Sequence, residues 1–236
     1  MQKKSFSAFT ACFGLLTLSL CAAVCYGTNL YTHHGTSQLK ALTSAGFVLI
    51  GVVNLLYALF VRAGNKGFLL GMLTGFVLSL VGDVAIDPSF LQGAIAFALA
   101  HLCYWAAYCF SSGFYARDLF CGAALFGISA LLLISPLFTF RRADLLQICL
   151  AYAAVISLMV GKSIATFVRR RTVCAALLMF GSALFYFSDL MLVLGRFGGL
   201  RSAGSLCIAT YYPAQCLLGL SLFSHVFANA REKITA

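Results

Sequence analysis

Asp83 and Asp189 are carboxylic acids placed inside long apolar segments, and a pair of such groups can carry out acid and base chemistry. The chain has six acidic residues, and the other four, Asp87, Asp118, Asp144 and Glu232, fall at the ends of apolar runs, where water or headgroups reach them. A carboxylate in hydrocarbon is costly unless it faces a bundle interior or a wet cavity, so an intramembrane acid marks a functional site by default. Two such groups can divide the work. One stays protonated and donates, while the other is ionised and stabilises a cation or activates water.

The neighbours of these acids are polar and aromatic. Asp83 continues a ridge of Gly67, Gly71, Gly75 and Ser79 at four-residue spacing, which admits another helix closely. In the next segment Phe90, Gly93, Phe97, His101, Tyr104 and Tyr108 share one helical face. His101 reads either as a core imidazole bonded to a neighbouring helix or as part of a site, and its depth argues against direct contact with Asp83. Ser182, Phe185 and Asp189 form a further stripe with Tyr186 and Ser188 beside it, and Arg196 on the same face offers Asp189 a salt bridge as a purely structural alternative. Tyr211 and Gln215 share a face around Pro213, which cannot bond the Ala209 carbonyl and should kink its helix.

The elements that must position these residues are transmembrane helices. The chain is 62% hydrophobic and only 9% charged, against about a quarter charged in soluble domains. At about 20 residues per span, 236 residues hold about eight helices and no sizeable soluble domain. The reading is an all-α polytopic bundle forming a single transmembrane domain over residues 1–236. Spans are expected at 6–26, 39–61, 67–86, 89–112, 119–138, 144–168, 172–194 and 203–228. Lys162, inside the sixth, should snorkel or mark an earlier end.

The net charge of +10 gathers in connections beside the spans, which points to topology and anionic headgroups rather than nucleic acid. With both termini cytoplasmic, eleven of the sixteen basic residues lie inside, leaving Lys40, Arg141, Arg142, Arg196 and Arg201 outside. A signal-peptide reading of the first span, starting at Lys3 and Lys4, lacks a clear cleavage site. The ten cysteines lie mostly in apolar runs without zinc-type spacing, and the histidines are too scattered for a metal cluster.

Three stretches resemble the YhhN family of integral membrane lysoplasmalogenases: SLVGDVAIDPSFLQGAIAFALAHLCY from Ser79 to Tyr104, GSALFYFSD from Gly181 to Asp189, and TYYPAQ from Thr210 to Gln215. The resemblance runs from about the second helix to the eighth. It departs at Ala85 and Ile86, where the family usually has a leucine pair. It implies hydrolysis of the vinyl ether bond of lysoplasmalogen to a fatty aldehyde and a glycerophospho-head group, without a cofactor or metal. It also implies Asp83 and Asp189 as the catalytic pair. Ser79, Phe97, His101, Tyr104, Phe185, Ser188, Tyr211 and Gln215 would then bind the substrate, a single-chain ether phospholipid drawn from the membrane. The alternative reading is a small proton- or cation-coupled transporter using the same two acids, although no inverted repeat is visible.

Overall fold

The computed structural model describes residues 3–200 and 202–235, with side chains from residue 8 onward; Arg201 and the side chains of Lys3 and Lys4, counted in the charge asymmetry, lie outside it. The described residues form eight helices in chain order: α1 (Lys3–His34), α2 (Ser37–Val61), α3 (Lys66–Ala85), α4 (Phe90–Ser112), α5 (Asp118–Ile134), α6 (Ala143–Arg170), α7 (Val173–Phe197) and α8 (Ala203–Thr235). Their starts follow local chemistry. Thr36, Asn65, Ser89 and Thr172 stand in extended backbone, and each side chain accepts a first-turn N–H of α2, α3, α4 or α7.

Seven of these helices are long and apolar enough to cross a membrane, and α5 is the exception. The expected fifth span at 119–138 stops at Ile134 because Ser135 turns to extended backbone ahead of Pro136, which cannot continue a helix. Its 17 residues make a helix about 26 Å long, short of the roughly 30 Å hydrocarbon core.

Lys162 neither snorkels nor ends its helix. α6 continues to Arg170, and the 1%-exposed Lys162 side chain donates to Asp118 Oδ2 at 2.7 Å and to the Gly113 carbonyl at 2.5 Å. This ion pair between α6 and the start of α5 supplies the solvation that snorkelling would otherwise provide. α8 passes through Pro213 as one helix.

The helices α2, α3, α4, α6, α7 and α8 form a closed ring in which each packs on the next and α8 returns to α2; α1 lies against α2 and α8, and α5 against α6. The small-residue ridge of α3 receives α4, and Tyr104 lies directly over Gly75, where any Cβ would fall within its ring. The seat of α5 is tighter still. A Cβ added at Gly161 would stand 2.6 Å from the Gly122 Cα and 2.8 Å from the Cys121 carbonyl carbon, both backbone atoms. Gly161→Ala should therefore lower stability by about 1–3 kcal/mol, read as an earlier thermal transition in detergent. An unchanged transition would show that α5 is free to shift.

Candidate active site

Each of the six ring helices sends at least one polar side chain to the interior: Ser44 from α2, Asp83 from α3, His101 and Tyr104 from α4, Tyr152 from α6, Asp189 from α7, and Tyr211 and Gln215 from α8. They sort into two hydrogen-bonded groups, one around each aspartate.

Asp83 is 4% exposed. Its Oδ2 accepts from Ser44 Oγ at 2.6 Å and from Tyr211 OH at 2.8 Å, lengths close to those of hydroxyl bonds to a carboxylate. The network continues inward. Gln215 Nε2 donates to Tyr211 at 3.2 Å, Tyr104 OH donates to Gln215 Oε1 at 3.2 Å, and Ser79 Oγ lies 3.2 Å from Tyr104 OH. On the other side Ser44 Oγ meets Tyr212 OH at 3.2 Å, and Tyr212 donates to the Lys40 carbonyl at 3.3 Å. The Lys40 ammonium is paired with Asp87 at 3.0 Å. Tyr211→Phe removes a donor from a buried carboxyl and should lower stability by about 1.5–3 kcal/mol in detergent unfolding. A native transition in that variant would mean that Asp83 does not depend on the α8 hydroxyl.

Asp189 is 8% exposed. Its Oδ2 accepts from Tyr152 OH at 2.6 Å, while His101 Nε2 stands 3.1 Å from the same oxygen and 2.8 Å from the Tyr152 hydroxyl. Proton counting then fixes the imidazole. Tyr152 has one proton and gives it to Asp189 Oδ2, so a His101 Nε2 that faces both oxygens is the nitrogen placed to donate. Among the described residues, the buried His101 Nδ1 has no hydrogen-bond partner.

An aromatic wall separates the two groups. The Phe185 ring centroid lies 5.2 Å from Tyr211, 6.3 Å from Phe97 and 4.7 Å from His101. No side chain bonds both aspartates. Neither acid has a hydrogen bond to Oδ1 among the described residues, so each keeps one oxygen for a proton or a ligand.

The structure thus gathers Ser79, Phe97, His101, Tyr104, Phe185, Tyr211 and Gln215 with Asp83 and Asp189. It places Ser188 elsewhere: its hydroxyl donates to the Cys207 carbonyl of α8 at 3.1 Å. Arg196 does not reach Asp189 and lies over the Phe90 ring, 5.4 Å from its centroid. His101 bonds Asp189 rather than Asp83, as its depth implied. Sequence reasoning missed Ser44 and Tyr152, and it reads Tyr212 as an aromatic-belt residue, whereas the hydroxyl meets Ser44 and the Lys40 carbonyl. The signals were faint: Lys40 and Ser44 form a polar pair one turn apart at the start of α2, and Tyr152 is the sole tyrosine of α6.

Asp189 also borders two narrow crevices. It lines one with Ile86, Phe90, Ala94, Phe97 and Leu192, and another with Ser129, Leu133, Ala153, Ile156, Tyr186 and Leu190. Asp83 lines neither. The two acids therefore sit in different surroundings, one packed in hydroxyls and the other beside the crevices.

None of the curated proteins and none of the solved structures matches the chain. The YhhN family does, over residues 43–222, more than three quarters of the sequence. Both aspartates and every side chain bonded to them fall within that stretch, and the protein belongs to the YhhN family.

Proposed function

We propose that this protein hydrolyses the vinyl ether bond of a lysoplasmalogen, releasing a fatty aldehyde and a glycerophospho-head group. The observation that carries the reading is the asymmetry of the two buried acids, one enclosed by hydroxyls and the other bordering two narrow, apolar-walled crevices.

Vinyl ether hydrolysis begins with slow protonation of the alkenyl β-carbon, which leaves an oxocarbenium ion. Asp189, in its protonated form, gives that proton from the crevice side. Asp83 provides a fixed negative charge behind the Phe97–Phe185–Tyr211 wall, held by Ser44 and Tyr211, where the low dielectric strengthens its attraction for the cation. Water adds to the cationic carbon and returns a proton to the Asp189 carboxylate. The hemiacetal then collapses to the aldehyde and frees the glycerol hydroxyl. Atoms balance with one water consumed, and the acid is regenerated.

His101 and Tyr152 orient Asp189. Tyr104 and Gln215 hold Tyr211 in place. The enzyme needs a substrate with one chain and a polar head at membrane depth, which fits a site built wholly from helices.

Purified protein turned over in deuterium oxide tests the chemistry. One deuterium on the carbon next to the aldehyde carbonyl, trapped by rapid reduction, is the expected product. Aldehyde without that label would sink carbon protonation, and vesicles showing proton flux but no aldehyde would favour the transporter.

A further inference from the structure

The end of the bundle opposite the aspartates holds a cavity of about 660 Å³, within the roughly 300–1,000 Å³ of small-molecule sites. It lies where α6, α7 and α8 meet: Thr166 and Arg170 come from the last turns of α6, Thr172 to Ala175 from the start of α7, and residues between Ser224 and Thr235 from the final turns of α8. The start of α7 is about 24 Å from Asp189 along the helix axis, so this space is separate from the crevices beside that acid.

The lining grades from apolar to cationic. Ala175 and Leu178 are buried at its floor, whereas Arg170, Arg231 and Glu232 are exposed at its rim. Among the described residues, neither arginine has an ion-pair partner. Arg170 donates through NH1 to the Ser111 carbonyl at 3.0 Å, which holds the guanidinium at the wall and leaves its other donors uncommitted. His225 accepts the Asn65 N–H through Nε2 at 3.1 Å, so its ring proton sits on Nδ1 as a further donor. Glu232 is the one carboxylate in the lining.

We propose that this cavity is a second binding site, one that takes a phosphate group between Arg170 and Arg231. The inference does not rest on the hydrolase reading. Two guanidiniums from different helices around one space suit an anion with several oxygens, because each presents a planar fork that pairs with phosphate through two parallel bonds. A cationic ligand would meet two like charges against a single carboxylate. Two sources present the required chemistry: the head of a phospholipid in the surrounding leaflet, whose first chain carbons would rest on the Leu178 floor, and a free phosphate ester from water. Held by both arginines, either ligand ties the α6–α7 corner, where Arg171 takes left-handed backbone at φ 48°, to the end of α8.

Calorimetric titration of the full chain in neutral maltoside detergent, at fixed ionic strength, uses inorganic phosphate, glycerol phosphate and dihexanoyl phosphatidic acid as probes. Saturable binding of at least one is expected, weakened roughly tenfold or more in Arg170→Gln and in Arg231→Gln by the loss of a charge-assisted bond. Lys66→Gln, at the same end of the bundle but outside the lining, should bind like native protein. Ala228→Phe fills the space without changing its charge and should also weaken binding. Glu232→Gln removes the opposing charge and should tighten binding several-fold, a gain that misfolding does not produce.

Binding of phosphatidic acid alone assigns the bilayer as the source, and equal or tighter binding of the water-soluble probes assigns a free phosphate ester. No saturable binding by any probe overturns the site. So does binding that survives Ala228→Phe, fails to tighten in Glu232→Gln, or falls as far in Lys66→Gln as in the arginine variants, the last being the mark of general attraction to a basic face. None of these readouts needs lipid turnover, so they stand apart from the vinyl ether reading, which fails separately if native protein releases no aldehyde.

Discussion

Asp189→Asn lowers kcat for aldehyde release by about 10²–10⁴-fold, the usual contribution of a positioned general acid. The amide keeps the size of the carboxyl group and can still accept from Tyr152, so the helix ring should fold and KM should change little. What it loses is the proton that reaches the alkenyl carbon and the base that later takes it back. Asp83→Asn should lower kcat by a smaller factor, because Asp83 lines neither crevice and acts on the reacting centre as a fixed charge across the Phe97–Phe185–Tyr211 wall. Parallel kcat and thermal measurements on both variants check this order. Equal losses with intact folding would put Asp83 at the reacting atoms as well, and an unaffected Asp189→Asn would remove it from the chemistry.

Asp118→Asn should destabilise the protein by about 3 kcal/mol, at the low end of the loss from removing one member of a buried ion pair. Lys162 is 1% exposed and Asp118 3%, and the aspartate is also bonded by Arg169, through NH2 to Oδ2 at 3.0 Å and through NH1 to Oδ1. Arg169 itself, at 21% exposed, admits some water and keeps the loss from being larger. Arg117, Lys162 and Arg169 all lie over the Tyr115 ring, with Arg169 4.4 Å from its centroid. Without the carboxylate these cations face one another in an apolar surround. Asp118→Leu combined with Lys162→Met should recover most of the loss, since an apolar pair of similar volume replaces a buried ion pair at little cost. Thermal unfolding of the single and double variants measures both effects, and a neutral single variant would show that the cluster does not anchor α5.

The residues most legible in the sequence were those whose chemistry conflicts with their surroundings. An aspartate within hydrocarbon is conspicuous, and so is a tyrosine one turn from a glutamine, so Asp83, Asp189, Tyr211 and Gln215 could be singled out from one chain. Helix positions followed from apolar runs and their caps. What periodicity does not encode is which helix packs on which. The bond from Ser44 to Asp83 and that from Tyr152 to Asp189 depend on the ring closing in one order, and so does the pairing of Lys162 with Asp118. Ser188 shows the opposite failure. It precedes Asp189 by one residue, which turns it about 100° around the helix and onto α8. The shortness of α5 was readable in principle from Ser135 and Pro136, but the apolar residues beyond them concealed it.

The central claim is that this member of the YhhN family is a vinyl ether hydrolase working through intramembrane carboxylic acids. Its most direct test is fatty aldehyde release from lysoplasmalogen by detergent-purified native protein, measured beside Asp83→Asn and Asp189→Asn proteins of matched folding. The account predicts aldehyde from the native chain, a large loss in Asp189→Asn and a smaller one in Asp83→Asn. Well-folded native protein that yields no aldehyde from choline or ethanolamine lysoplasmalogens at any pH would contradict it.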